Sequence, residues 1–149
     1  NRDIPPLDYA LVADLKAARP DLTIILNGGI TSIAECQEHL RTFDGVMLGR
    51  AAYQDPSLLC DVDADLFGGG PRINVAAAIE AHRPYMVDQL SQGVRLHAMT
   101  RHMLGLFNGK PGARSWRRHL SENAPTSDAG ISVLDDAFGL MRPALEAQT

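Results

Sequence analysis

Two short apolar runs constrain this chain more than any other feature. Leu22-Thr23-Ile24-Ile25-Leu26 ends in Asn27-Gly28-Gly29, and Gly45-Val46-Met47-Leu48 ends in Gly49-Arg50. Runs this short, rich in β-branched residues and closed by glycine, are expected of strands buried on both faces of a parallel sheet. The stretch between them reads as a helix over about 33–41: Ser32 and Glu35 form an S-x-x-E capping box, and Ile33, Cys36, Leu40 and Phe43 share one apolar face. A helix over about 7–18 precedes the first run, opened by Pro5-Pro6, carried by Leu7, Leu11, Val12 and Leu15, and ended by Pro20. A short helix is expected after Arg50. The order helix, strand, helix, strand, helix is the βαβ rhythm of an α/β fold. A parallel pair with two apolar faces needs neighbouring strands, so residues 1–70 read as the last sector of a truncated (β/α)₈ TIM barrel.

After Gly68-Gly69-Gly70-Pro71, a plausible linker, no further strand signal follows. The pattern predicts helices over about 72–92, 95–106, 112–122 and 131–147, with Pro84 kinking the first and Pro143 the last. Residues 71–149 are therefore expected to form an all-α helical bundle. The chain begins at Asn1 rather than Met and shows no signal-peptide pattern, which fits a piece of a longer protein.

Charge divides the same way. Residues 1–70 carry 5 basic and 11 acidic groups, residues 71–123 carry 8 and 3, and residues 124–149 carry 1 and 4, within an overall net charge of −4. A basic block between acidic flanks suggests that one part meets a polyanion. No apolar run approaches the ~20 residues of a membrane span. Cys36 and Cys60 have no disulfide or zinc-ligand spacing, so a reducing cytoplasm fits and no metal site is expected.

Loops leaving the C-terminal ends of the last barrel strands commonly hold a phosphate. Asn27, Gly28, Gly29, Gly49 and Arg50 sit at those places. Glycines let backbone N–H groups approach phosphate oxygens, a helix start adds positive potential, and Arg50 can donate charge-assisted hydrogen bonds. The second candidate is the run containing Arg101, His102, Lys110, Arg114, Arg117 and Arg118, which holds no acidic residue between Arg101 and Arg118. Arg114, Arg117 and Arg118 are spaced to share one helix face, a stripe that suits nucleic-acid phosphates. Trp116 and Phe107 read as core rather than base-stacking platforms. The five histidines have no partner at a telling spacing for acid–base work, Gly109-Lys110 is not a Walker A loop, and Asp61, Asp63 and Asp65 read as solvated.

Longer words carry a family resemblance. Asn27-Gly28-Gly29-Ile30, the stretch from Asp44 to Pro56, Thr100-Arg101-His102-Met103-Leu104-Gly105-Leu106-Phe107 and Pro111-Gly112-Ala113-Arg114-Ser115-Trp116-Arg117-Arg118 resemble the tRNA-dihydrouridine synthases of the bacterial A subgroup, over residues 1 to about 123. The resemblance implies an FMN-binding barrel followed by a tRNA-binding helical domain. It also implies NADPH as reductant and a uridine C5=C6 bond in the tRNA D-loop, at positions 20/20a, as substrate. The family's FMN phosphate contacts fall on Asn27, Gly28, Gly29, Gly49 and Arg50. Its catalytic cysteine, lysine and histidine belong to earlier strands, so no catalytic residue is assigned here. The fragment alone is expected to be inactive, to bind FMN weakly or not at all, and to self-associate through faces the missing barrel would cover. Two other readings stay open: another FMN-barrel oxidoreductase acting on a small molecule, and a stand-alone RNA-binding helical module.

Overall fold

The computed structural model describes residues 6–146. Helix α1 (Tyr9–Ala18) starts where the Asp8 carboxylate accepts the Leu11 N–H at 3.0 Å, so Asp8 rather than the Pro5-Pro6 pair sets its beginning; Pro5 itself lies outside the described residues. Strand β1 (Ile25–Asn27), helix α2 (Ile33–His39) and strand β2 (Gly45–Met47) form a parallel βαβ unit, with Ile25, Leu26 and Asn27 paired to Gly45, Val46 and Met47. The capping box at α2 forms as expected, Ser32 accepting the Glu35 N–H and Glu35 accepting the Ser32 N–H.

Burial of this sheet is uneven. Leu26 is buried, but Ile25 is 62% and Met47 51% exposed, and Leu22 and Leu40 are exposed as well. Two paired strands can cover one face with α1 and α2; the rest of the apolar surface has no neighbour among the described residues. The core here is Leu26, Ile30, Cys36 and Phe43, with Tyr9, Val12, Ile24 and Leu48 packed around it.

Helix α3 (Arg50–Gln54) follows β2, then a 3-10 helix (Pro56–Asp61) and helix α4 (Val62–Leu66). Residues 67–74 are irregular, with Gly68 and Gly70 at positive φ. Asp61 and Asp65 are not merely solvated: Arg72 pairs with both, at 2.9 and 2.5 Å, and ties the irregular segment back to α4. Helix α5 (Val75–Ser91) begins at the Asn74 cap and runs through Pro84.

Helix α6 (Leu96–Thr100) is less than half the length expected. From Arg101 to Asn108 the chain proceeds as successive tight turns, with the N–H groups of Met103, Leu106, Asn108 and Lys110 donating to the carbonyl three residues back. Two tertiary contacts account for this. The Trp116 indole N–H donates to the Met103 carbonyl at 3.1 Å, and Gly105 lies so close to the Gln54 carbonyl that a Cβ would overlap it.

Helix α7 (Ala113–Asn123) buries Ala113, Trp116 and Leu120. In place of one kinked helix over 131–147 there are two, α8 (Ser132–Gly139) and α9 (Arg142–Glu146), and residue 147 lies outside the described residues. Pro143 stands in the first turn of α9, where its missing N–H costs nothing, so it stabilises a start rather than bending an interior. Helices α5 to α9 surround a second core that includes Met86, Leu96, Phe107, Trp116, Leu120, Leu134 and Met141. Phe107 meets Trp116 edge to face, ring centroids 4.9 Å apart, which places both in the core as their sequence positions suggest.

Candidate functional site

The loop after β1 is held from behind. Gly28 and Gly29 take φ of 120° and 70°, conformations that L side chains rarely adopt. The Tyr9 hydroxyl donates to the Gly28 carbonyl at 2.7 Å, and Leu7 lies against both glycines. One carboxylate oxygen of Glu35 accepts the Thr31 N–H at 2.7 Å, the Thr31 hydroxyl at 2.9 Å and the Ser32 N–H at 3.0 Å. The Thr31 N–H, first among these donors, holds the Glu35 carboxyl below its usual range. The glycine turn is thus pinned by α1 on one side and the α2 cap on the other.

The loop after β2 opens beside it. A Cβ built on Gly49 would have nothing within 4 Å, so this position borders open space. Between the two loops lies a cleft of about 660 Å³ lined by Asn27, Gly28, Gly29, Gly49 and Arg50, the five positions singled out from sequence, together with Thr31, Gln54, Asp55 and Asn108. Among the described residues Arg50 makes no ion pair, so its guanidinium is available to an anion. Asp55 is engaged elsewhere: its carboxylate caps the 3-10 helix by accepting the Ser57 N–H and hydroxyl. Backbone glycines, an amide side chain and an unpaired arginine are a donor set that suits a phosphate monoester.

The basic residues stand partly on α7 and partly on the turns before it. All six, Arg101, His102, Lys110, Arg114, Arg117 and Arg118, are exposed. Arg114, Arg117 and Arg118 stand on α7 away from buried Trp116 and Leu120, and Arg118 is paired with Glu122 at 2.9 Å. His102 packs edge to face against Tyr53 of α3, centroids 5.8 Å apart. Lys110 lines a second, smaller cavity of about 240 Å³ with Cys60 and Asp61.

Neither cysteine lines the larger cleft. Cys36 is fully buried in the βαβ core, and burial pushes both thiols up. No group of three or more His, Cys, Asp or Glu suited to a metal ion occurs among the described residues, and no described helix is long and apolar enough to cross a membrane.

Asn108, Gln54, Asp55 and Thr31 were not singled out from sequence as cleft residues. Thr31 carried a local signal, since it adjoins the capping box. Asn108 carried none, because nothing local shows that a residue more than fifty positions beyond Gln54 returns to the same cleft.

The family model described as dihydrouridine synthase (Dus) matches residues 1–141. The chain is 53% identical over 144 residues to the tRNA-dihydrouridine(20/20a) synthase of Yersinia pestis, covering 96% of this chain and 42% of that protein. It is 52% identical over 142 residues to the enzyme of the same name from Salmonella typhimurium, covering 95% and 43%. With the Shewanella oneidensis protein of that name it shares 51% identity over 149 residues, covering 99% and 44%. The chain therefore spans less than half the length of these curated relatives. Match length and identity together establish that this chain belongs to the dihydrouridine synthase family.

Proposed function

We propose that this chain is the C-terminal part of an FMN-dependent tRNA-dihydrouridine synthase. In this reading residues 1–70 close an FMN-binding barrel, and residues 71–149 form a helical tRNA-binding unit with an acidic tail. The observation that carries it is the convergence of Asn27, Gly28, Gly29, Gly49 and Arg50 on one cleft, in a chain of this family. The pinned glycine turn and the unpaired Arg50 suit the flavin phosphate. When bound and reduced by NADPH, the flavin supplies the hydride for reduction of a uridine C5=C6 bond. The residues present here hold and orient its phosphate end.

The exposed arginines of α7 and the Arg101–Lys110 turns suit the RNA backbone, where each phosphate contact adds to affinity and to its salt dependence. Buried Cys36, and Cys60 outside the cleft, have neither the exposure nor the place of a proton donor. The chain alone is accordingly inactive and holds flavin only weakly, through the phosphate.

Nucleoside mass spectrometry tests this. Unmodified tRNA is incubated with FMN, NADPH and either this chain or a full-length protein that carries it. Dihydrouridine from the full-length protein alone is expected. Flavin retained without any dihydrouridine would favour a small-molecule oxidoreductase. In the same system Arg114→Glu with Arg117→Glu is expected to weaken tRNA binding and flatten its salt dependence. Unchanged binding would remove α7 from the RNA interface.

A further inference from the structure

The larger cleft has one wall that comes from far along the chain. Its other lining residues fall between Asn27 and Asp55, whereas Asn108 belongs to the turns between α6 and α7. Its position is fixed by the residues just before it. Phe107, immediately before it, is buried against Trp116, and the N–H of Asn108 donates to the Gly105 carbonyl at 2.9 Å. Gly105 in turn lies on the Gln54 carbonyl of α3, an approach that a Cβ would block. The missing side chain at Gly105 thus lets this segment reach the cleft, and the buried Phe107 holds it there. Among the described residues the Asn108 carboxamide has no hydrogen-bond partner.

We propose that Asn108 is a phosphate ligand, its Nδ2–H₂ group donating to the monoester held by the glycine turn and Arg50. This rests on the reading of the cleft as the flavin phosphate site. A carboxamide provides two donors and carries no charge of its own. The helical half then contributes directly to the cofactor site. Gly105 is a positioning residue for that contact.

The 149-residue chain, labelled with ¹⁵N, is titrated with inorganic phosphate, with FMN and with riboflavin, which lacks the phosphate. Phosphate and FMN, but not riboflavin, are expected to shift the Gly28, Gly29 and Gly49 amides, the Arg50 side chain and the Asn108 side-chain NH₂ resonances. Asn108→Ala, at an exposed position, is expected to weaken phosphate binding about tenfold, the scale of one hydrogen bond to a charged group. Gly105→Ala should lose a similar amount although Asn108 is intact. If the glycine amides and Arg50 respond while Asn108 does not, and Asn108→Ala binds as the parent chain does, the proposal is overturned and the cleft reading stands. If no cleft resonance responds to phosphate, both fall together.

Discussion

Replacing Trp116 with phenylalanine probes the contact that ends α6 early and shapes the segment leading to the cleft. Trp116 is fully buried, and its indole N–H is bonded to the carbonyl of buried Met103. Phenylalanine keeps an aromatic edge against Phe107 but removes one of that carbonyl's two donors, the Leu106 N–H remaining at 3.1 Å, a loss of about 0.5–1.5 kcal/mol. The smaller ring gives up roughly 40 Å² of buried apolar surface, about 1 kcal/mol at 25 cal/mol per Å². The sum, about 1.5–2.5 kcal/mol, is a substantial share of the ~5–15 kcal/mol typical of a folded domain. With a urea dependence of roughly 1.5 kcal/mol/M, the unfolding midpoint should fall by about 1–1.7 M. The chain has a single tryptophan, so the variant loses its fluorescent reporter and far-ultraviolet circular dichroism must follow the helices. Arg114→Ala is the control, exposed and unpaired among the described residues, with an effect expected within about 0.5 kcal/mol. A Trp116→Phe loss below about 1 kcal/mol would refute the reasoning, because the indole hydrogen bond to Met103 would then contribute nothing.

Other consequences are equally open to measurement. Gly29→Ala places a Cβ 2.7 Å from the Tyr9 hydroxyl at a φ of 70°, so the Tyr9 to Gly28 hydrogen bond should break and stability fall by about 1–3 kcal/mol; an unchanged urea midpoint would contradict this. The Asp44 carboxyl is held low first by the Ile24 N–H and then by Lys16, both at 2.7 Å. Its folded value lies below its unfolded one, so its contribution is present at neutral pH and is lost as pH falls from about 3.9 through the folded value. Asp44→Asn should therefore be less stable than the parent chain at pH 7, with the gap shrinking on acidification; a constant gap across that range would exclude Asp44 as the source. Exposed Ile25, Met47 and Leu11 offer an uncovered apolar surface, so light scattering should report a mass that rises with concentration. A sharp monomer at high concentration would argue against that association.

Features decided within a few residues were legible in the sequence. The Ser32/Glu35 capping box, the glycine turn after β1 and the buried Trp116 face of α7 all depend on spacing along one turn or one strand end. That spacing fixes which backbone donors and which faces meet, whatever else surrounds them. The five cleft positions were legible for the same reason, since each sits at the end of a strand. Contacts between distant segments decided the rest. The sheet is half exposed because α1 and α2 cover only one side of two strands, a fact no periodicity records. Helix α6 stops at Thr100 because Trp116 and Gln54, from elsewhere in the chain, engage the backbone that would have continued it. Arg72 binds Asp61 and Asp65 because the glycine segment turns back on α4. Asn108 reaches the cleft because Gly105 permits a close backbone approach. Local hydrogen bonding is written in neighbouring residues, whereas backbone proximity across fifty residues follows from how the two cores pack, and only the tertiary structure sets that.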